Sequence, residues 1–279
     1  MPFRRPLREL ARGLVYAGVV AAILAVAFLR REHADAPEPP PPVPGVARLP
    51  IPPSSPFAPA RVAPVAPAAE TASGTAFSVG DGGLWLTARH VLSGCRQAAI
   101  VVAEGRGVVA RLRAARGDVA VLATQGGAPA LGLAAVRGPA VGQLAFHPGF
   151  PQGRPGEAAS RLIGTQNVRA RGRGQRPQAL LAWAEVGRTE GLGGDLAGLS
   201  GAPVLDGAGQ VVGVTLAWSP RRGRIYSSSA SDMRAALAAA GVTPGSAPAS
   251  EPVTSENYGR VSDSLRRGLR VAQVVCLAS

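Results

Sequence analysis

The chain has 279 residues and a formal net charge of +13; 46% of its residues are hydrophobic and only 4% are aromatic. This composition excludes a wholly disordered protein, and 36 glycines with 26 prolines exclude a long coiled coil and favour a loop-rich, β-rich fold. All 30 basic residues are arginine, which indicates a compositional bias of the genome before it indicates a ligand, so no nucleic-acid partner is expected. Two cysteines, Cys95 and Cys276, are too few for a disulfide scaffold or a four-cysteine zinc site, but they are enough for one bridge.

The N-terminal segment at residues 13–29 is uncharged and apolar. As a helix it is about 25 Å long, against a hydrocarbon core of about 30 Å. Four arginines precede it, whereas Arg30 and Arg31 follow it beside Glu32. The positive-inside rule therefore predicts a single-pass anchor in the inner membrane, with residues 1–12 in the cytoplasm and the rest of the chain in the periplasm or another extracytoplasmic space. The alternative is a cleaved signal peptide, for which Ala34–Ala36 supplies the small-x-small pattern.

Residues 30–70 are expected to form a linker. Thirteen of the chain's prolines lie between Pro37 and Pro67. Such a stretch is typical of an extended, polyproline-like spacer, and no packed element is expected there. The alternative role is a docking site for a proline-recognising partner.

A predicted hairpin leads to the first candidate functional residue. Gly74–Val79 alternates as a strand, residues 80–83 form a glycine-rich turn, and Leu84–Thr87 is the second strand. His90 follows at the end of that strand, where a loop exposes a side chain for chemistry. Taken alone, a single histidine is more often structural than catalytic.

Two further segments supply an acid and a hydroxyl group. Asp118 stands directly before the apolar strand Val119–Leu122, and a carboxylate at the start of a buried strand needs a partner such as an imidazole N–H. Ser200 lies in a glycine-rich segment in which Gly198 can adopt backbone angles that other residues avoid, so the N–H groups of Gly198 and Ser200 can converge on one oxygen as an oxyanion hole. These are the groups that acyl transfer requires.

In these segments the chain resembles the chymotrypsin-like (trypsin-like) serine peptidases, most closely their bacterial high-temperature-requirement branch. The similarity extends over about residues 73–230. Its motifs, in the family's order of histidine, aspartate and serine, are Gly74–Phe77, Leu86–Val91, Asp118–Leu122, Gly149–Gly153 and Gly198–Val204.

The resemblance implies an all-β fold of two antiparallel β-barrels, with the active site between them and a helix after the second barrel. It implies that Ser200 is the nucleophile, His90 the general base and then acid, and Asp118 the anion that orients His90. The Gly198 and Ser200 amides would form the oxyanion hole. The substrate would be a protein or peptide, and no metal or other cofactor is needed.

The sequence departs from the family pattern near Ser200. Leu199 occupies the position where digestive members carry an aspartate that pairs with a freshly cut N-terminus, so that activation switch is absent. Ala202 replaces a usual glycine close to the nucleophile. The peptidase domain is expected at residues 71–245. The remaining residues are too few for the peptide-binding domain that many relatives append, so cage assembly is not expected and the oligomeric state is open.

The C-terminal segment, residues 246–279, is predicted to hold a helix at Ser255–Arg267 and an apolar strand at Leu269–Leu277. Relatives usually begin the first barrel with such a strand, but here the linker occupies that place. We therefore expect the C-terminal helix and strand to pack on the first barrel and Cys276 to form a disulfide with Cys95. The alternative is two unpaired buried thiols.

Three other features have weaker interpretations. His147 is expected in a loop, not as a metal ligand, and Asp195 is either an exposed loop residue or part of the base of a specificity pocket. The arginine-glycine run at 169–176 is expected to be a solvated loop.

The sequence as a whole predicts a membrane-anchored serine endopeptidase of the cell envelope. The alternative is a catalytically silent, tethered module of the same fold that holds an extended peptide.

Overall fold

A computed structural model describes residues 18–22, 25, 62–64, 73–135, 138–168, 178–244, 247 and 251–277. The predicted cytoplasmic tail, most of the predicted anchor and linker, and the run at 169–176 lie outside the described residues. Residues 18–22 and 25, within the predicted anchor, are helical and exposed. Within the part of the chain that the structure describes, no helix combines the length and the apolar character needed to cross a membrane.

Strands make up most of the described chain. In chain order they are β1 (Val62–Pro64), β2 (Ser73–Gly80), β3 (Leu84–Ala88), β4 (Ala98–Ala103), β5 (Arg106–Arg116), β6 (Val119–Ala123), β7 (Leu144–Gly149), β8 (Gly156–Val168), β9 (Gln178–Arg188), β10 (Pro203–Leu205), β11 (Val211–Ser219), β12 (Arg224–Ser227) and β13 (Val271–Cys276). The helices between β12 and β13 are α1 (Ala230–Ala239) and α2 (Tyr258–Arg267). Short 3-10 turns lie at Arg89–Leu92, Pro151–Gly153 and Pro220–Arg222.

The first barrel is closed and antiparallel. Its strand order is β5-β4-β13-β2-β3-β6, and β6 pairs back with β5. β13 lies between β2 and β4, where Val274 is opposite both Gly74 and Ile100. At the end of β13, Cys276 forms a disulfide with Cys95, and their Cα atoms are 5.3 Å apart. The C-terminal strand therefore completes the barrel that carries the predicted histidine and aspartate.

The second barrel has the order β10-β11-β12-β9-β8-β7 and closes through the pair Leu205 and Phe146. Its core includes the fully buried side chain of Trp183. After β12, α1 begins with a capping box in which the Ser229 hydroxyl accepts the Asp232 N–H and the Asp232 carboxylate accepts the Ser229 N–H. The predicted all-β fold of two antiparallel barrels followed by a helix is confirmed.

The linker region contains one element that was not expected. Val62–Pro64 forms the three-residue strand β1, which pairs antiparallel with Arg106–Val108 of β5. A proline is tolerated in the edge strand of a sheet. On the side that faces solvent, its missing N–H removes no hydrogen bond to a neighbouring strand. Proline content alone therefore does not exclude a short edge strand.

A buried charge cluster joins α2 to the second barrel. Arg266 donates to the carboxylates of Glu157 (2.8 Å) and Asp263 and to the carbonyls of Gly156 (3.0 Å) and Gly149 (3.4 Å). Only 6% of the Arg266 side chain and 1% of the Glu157 side chain are exposed. Burial raises the pKa of Glu157 above its ordinary value, and the adjacent Arg266 opposes this rise. Arg266 thus holds the turn between β7 and β8 against the C-terminal helix.

His147 is not a loop residue, as the sequence suggested, but a fully buried residue of β7. Its Nδ1 is 2.9 Å from the Thr215 hydroxyl oxygen and its Nε2 is 2.7 Å from the Ser160 hydroxyl oxygen. Trp183 packs edge-on against the ring. The strand continues through Pro148 to Gly149, so the turn begins after Gly149 and not at His147. Both ring nitrogens have hydroxyl partners, so His147 has a structural role.

His147 is expected to make the protein less stable in acid. Burial lowers its pKa from 6.5 to about 3, so between these values the unfolded chain binds a proton that the folded chain does not. Stability therefore falls as the pH falls, by about 2 kcal/mol from pH 6.5 to pH 4.5. Urea unfolding at both pH values measures this, and the non-titrating His147→Gln variant should show a pH dependence smaller by that amount. An equal pH dependence in the two proteins would contradict this assignment.

Candidate active site

His90 and Asp118 meet at one end of the first barrel. β3 and β6 are paired, with Ala88 opposite Val119, so the turn that follows β3 lies beside the residue that precedes β6. The Arg89 N–H donates to the Asp118 backbone carbonyl (2.9 Å), and the His90 N–H donates to the Asp118 Oδ1 (3.0 Å). The pairing of two neighbouring strands thus brings the imidazole and the carboxylate together.

The Asp118 carboxylate also holds the imidazole ring. His90 Nδ1 is 2.8 Å from Asp118 Oδ2. With Nδ1–H donated to the carboxylate, Nε2 is left as the proton acceptor. The His90 side chain is 45% exposed and the Asp118 side chain 30% exposed, so the carboxylate is less buried than its place before an apolar strand suggested. The histidine is therefore oriented by one partner and open on its other side.

The segment that carries Ser200 belongs to the second barrel but is docked on the first. The Thr75 N–H of β2 donates to the Ser200 carbonyl at 2.8 Å. A Cβ on Gly74 would lie 2.7 Å from both methyl groups of Val91 and 2.9 Å from the Ser200 carbonyl oxygen. Gly74 thus lies between the neighbour of His90 and Ser200. The absence of a side chain at Gly74 lets the segments that carry His90 and Ser200 approach each other.

Gly201 allows the same close approach on the other side of Ser200. Its φ is +92°, and its N–H donates to the Thr215 carbonyl at 2.7 Å. A Cβ on Gly201 would overlap the Thr75 carbonyl oxygen and the Thr87 hydroxyl. Only glycine fits this position, both in conformation and in space.

The Ser200 hydroxyl donates to the carbonyl of Leu216 in β11, at 3.4 Å. No hydrogen bond joins Ser200 to His90 in the described part of the chain. The structure therefore brings His90 and Asp118 into direct contact and places the Ser200 segment beside them, while the hydroxyl is directed to its own barrel.

The predicted oxyanion-hole residues have unoccupied N–H groups. Gly198 has a φ of +92°. Among the described residues, no acceptor is bonded to the N–H of Gly198 or Ser200. The Gly198 carbonyl is bonded by the Thr75 hydroxyl (2.8 Å), and the Ala197 carbonyl by the Gln152 N–H. Two amides are thus available beside Ser200 to stabilise a negative oxygen.

A second buried ion pair supports the loop that precedes Gly198. Arg188 is paired with Glu185, and it donates to the carbonyls of Leu192 and Gly194, each at 3.1 Å. Trp218 donates its ring N–H to Glu185 at 3.2 Å. The sequence gives no signal for this cluster. The pattern of charged residues in β9 is the same whether their side chains face solvent or are buried under a loop.

Asp195 is an exposed residue of this loop. This is the first of the two alternatives that the sequence left open, the other being a place at the base of a specificity pocket. Its carboxylate accepts the Ala197 N–H at 3.0 Å, which closes a local turn.

Among the described residues, no three histidine, cysteine, aspartate or glutamate side chains are grouped closely enough to hold a metal ion.

The solved structures of two proteases are similar to this protein. The protein is similar to the Rv3671c protease from M. tuberculosis in its active form, with a TM-score of 0.52 and 21% identity over 80% of this chain and 93% of that one. The inactive form gives a TM-score of 0.49 at 21% identity, over 65% and 100% of the two chains. The HtrA-type protease AlgW with a decapeptide gives 0.47 at 21% identity, over 60% of this chain and 50% of AlgW. The chain thus spans about half the length of AlgW.

The family is established by sequence. No curated protein sequence matches the chain significantly. Residues 74–214, half of the chain, match the model of the trypsin-like peptidase domain family. That span includes His90, Asp118 and Ser200. The chain therefore belongs to the trypsin-like peptidase domain family.

Proposed function

We propose that this protein is a membrane-anchored endopeptidase that cleaves peptide bonds in the cell envelope through an acyl-enzyme on Ser200. The observation that carries the proposal is the contact between His90 Nδ1 and Asp118 Oδ2 beside the docked Ser200 segment. Asp118 holds the imidazole in the tautomer that accepts a proton at Nε2, as a general base beside a serine requires.

In the acylation step, Ser200 Oγ attacks the carbonyl carbon of the scissile peptide bond, and His90 Nε2 takes the hydroxyl proton. The N–H groups of Gly198 and Ser200 stabilise the resulting oxyanion. His90 then gives the proton to the leaving amine as the C–N bond breaks, leaving an ester on Ser200. Asp118 stays ionised and stabilises the imidazolium formed between the two transfers.

In the deacylation step, water takes the place of the amine. His90 removes a proton from the water, the oxygen attacks the ester carbon, and the proton returns to Ser200 Oγ as the acid product leaves. For acylation to begin, the Ser200 hydroxyl must leave the Leu216 carbonyl, to which it is bonded at 3.4 Å, and turn to His90. A bond of that length is weak, and catalytic contacts often form only when substrate binds.

The expected location follows from residues 13–29 and from the disulfide. The uncharged segment after a basic N-terminus favours an inner-membrane anchor with the barrels on the periplasmic side. A bridge between Cys95 and Cys276 supports this location, because structural disulfides persist outside the cytoplasm. Alkaline-washed membranes should retain the full chain, and deletion of residues 1–30 should release it. Release of the full chain by alkali would contradict the anchor.

The full chain in mild detergent is expected to cleave an unfolded protein such as carboxymethylated casein. Ser200→Ala should abolish cleavage, because it removes the proposed nucleophile. Ser264→Ala, at an exposed position of α2, is the matched control and should cleave normally. A folded wild-type chain that binds casein without cleaving it would favour the silent binding module instead.

A further inference from the structure

The orientation of the peptide group between Ala197 and Gly198 is set by a residue far away in the sequence. The Ala197 carbonyl accepts the N–H of Gln152, in the turn between β7 and β8. In a trans peptide the C=O and N–H bonds point in opposite directions. Holding the carbonyl against this turn therefore directs the Gly198 N–H away from it.

The next peptide group is held by the first barrel. The Thr75 hydroxyl donates to the Gly198 carbonyl at 2.8 Å and accepts the Phe150 N–H at 3.1 Å. Thr75 is fully buried, and its own backbone N–H donates to Ser200. One residue of β2 therefore contacts both residues whose amides form the oxyanion hole.

Gln152 holds the preceding part of the loop through its side chain. Its Nε2 donates to the carbonyls of Gly193 (2.7 Å) and Asp195 (2.9 Å). Its backbone is left-handed, with φ 53° and ψ 30°, a conformation that is costly for a residue with a side chain. Such a conformation persists when surrounding contacts require it, and here it places the backbone N–H and the side-chain amide on the same loop.

The turn and the loop are in direct contact. A Cβ on Gly198 would overlap the Phe150 carbonyl oxygen and lie 3.3 Å from the Gln152 nitrogen. Displacement of the turn would therefore displace Gly198. The positions of the Gly198 and Ser200 amides therefore depend on contacts with residues that are distant in the sequence, Thr75 and Gln152.

The geometry points to Thr75 and Gln152 as positioning residues that hold the oxyanion hole open before substrate arrives. This inference rests on the proposed function, since it assigns the hole to the acyl transfer at Ser200. Neither side chain touches the reacting atoms; each acts through the peptide groups on either side of Gly198.

The test compares variants at Thr75 in the full chain. Thr75→Val keeps the shape but removes the hydroxyl, and we expect kcat for an ester substrate to fall about 10- to 100-fold with KM nearly unchanged, because the hole acts on the transition state. Thr75→Ser keeps the hydroxyl and should restore kcat to within about threefold. Thr165→Val, on the exposed part of β8, is the control for losing a threonine hydroxyl and should leave kcat unchanged.

Gln152→Glu tests the second contact. A carboxylate cannot donate to the carbonyls of Gly193 and Asp195, so kcat should again fall about tenfold while KM changes little. Gln210→Glu, at an exposed position, makes the same chemical change away from the site and should have no effect.

Hydrogen exchange of the segment at residues 193–199 gives a readout that does not depend on turnover. Exchange should be faster in Thr75→Val and Gln152→Glu, and normal in Thr75→Ser. Unchanged exchange or unchanged kcat in Thr75→Val would overturn the inference. If the folded wild-type protein is inactive and the Thr75→Val and Gln152→Glu variants still exchange faster than it does, the proposed function is overturned, and with it the catalytic part of the inference. The contact between the two residues and the loop would then still be established.

Discussion

Replacement of Asp118 by Asn is expected to lower kcat/KM for peptide hydrolysis about 10,000-fold. Asp118 accepts the His90 backbone N–H through Oδ1 and faces the ring Nδ1 through Oδ2. An amide at this position can donate its N–H to Nδ1, which leaves the proton on Nε2 and makes the histidine unable to act as a base toward Ser200. The effect is large because the variant also loses the negative charge that stabilises the His90 imidazolium formed during the reaction.

Steady-state kinetics on one peptide substrate measures this effect. His90→Ala should be at least as inactive, and combining the two changes should add little, since both remove the same base. Glu104→Gln, at an exposed turn between β4 and β5, neutralises a carboxylate away from the site and should retain full activity. An Asp118→Asn variant within tenfold of wild type would show that this carboxylate does not orient the base.

Replacement of Arg266 by Met is expected to lower the free energy of unfolding by about 3–5 kcal/mol. The change removes the buried cation that is paired with Glu157 and Asp263 and leaves both carboxylates without it. The loss should be largest at neutral pH. Below the ordinary pKa of a glutamate, near 4.5, Glu157 is protonated in both the folded and the unfolded state, so its buried charge no longer destabilises the variant.

Urea unfolding at pH 7 and pH 4 measures both expectations. Arg260→Met is the matched control in the same helix, because Arg260 pairs with Glu251 in an exposed bridge, and its unfolding midpoint should hardly change. Adding Glu157→Gln to Arg266→Met should recover part of the lost stability at pH 7. Equal stability of the Arg260 and Arg266 variants would contradict the buried cluster.

The fold was predictable from the sequence because its signals are local. The hairpin around residues 80–83, the turn before Asp118 and the glycines around Ser200 each follow from nearby residues, and their order identifies the two-barrel family. The match to residues 74–214 and the observed barrels confirm both the family and the fold. The sequence does not predict the strand β1, because its pairing with β5 is a tertiary contact that outweighs the local effect of proline.

The contacts that support the site could not be predicted in the same way. Thr75 meets Gly198 across 123 residues, Gln152 meets Gly193 across 41, and Arg266 meets Glu157 across 109. A threonine in a strand and a glutamine in a turn are common, and their roles depend on which backbone carbonyl lies opposite. The proline beside His147 favours a loop at that position, whereas burial against Ser160 and Thr215 keeps His147 in the strand.

Activation of the Ser200 nucleophile by His90 is central to the proposed function. The intact mass of the folded, full-length chain after treatment with a fluorophosphonate near pH 8 tests it most directly. We predict the gain of one phosphonyl group, mapped to Ser200, and no gain in Ser200→Ala or His90→Ala. A folded wild-type chain that gains no phosphonyl group, or gains it at another residue, would contradict this activation.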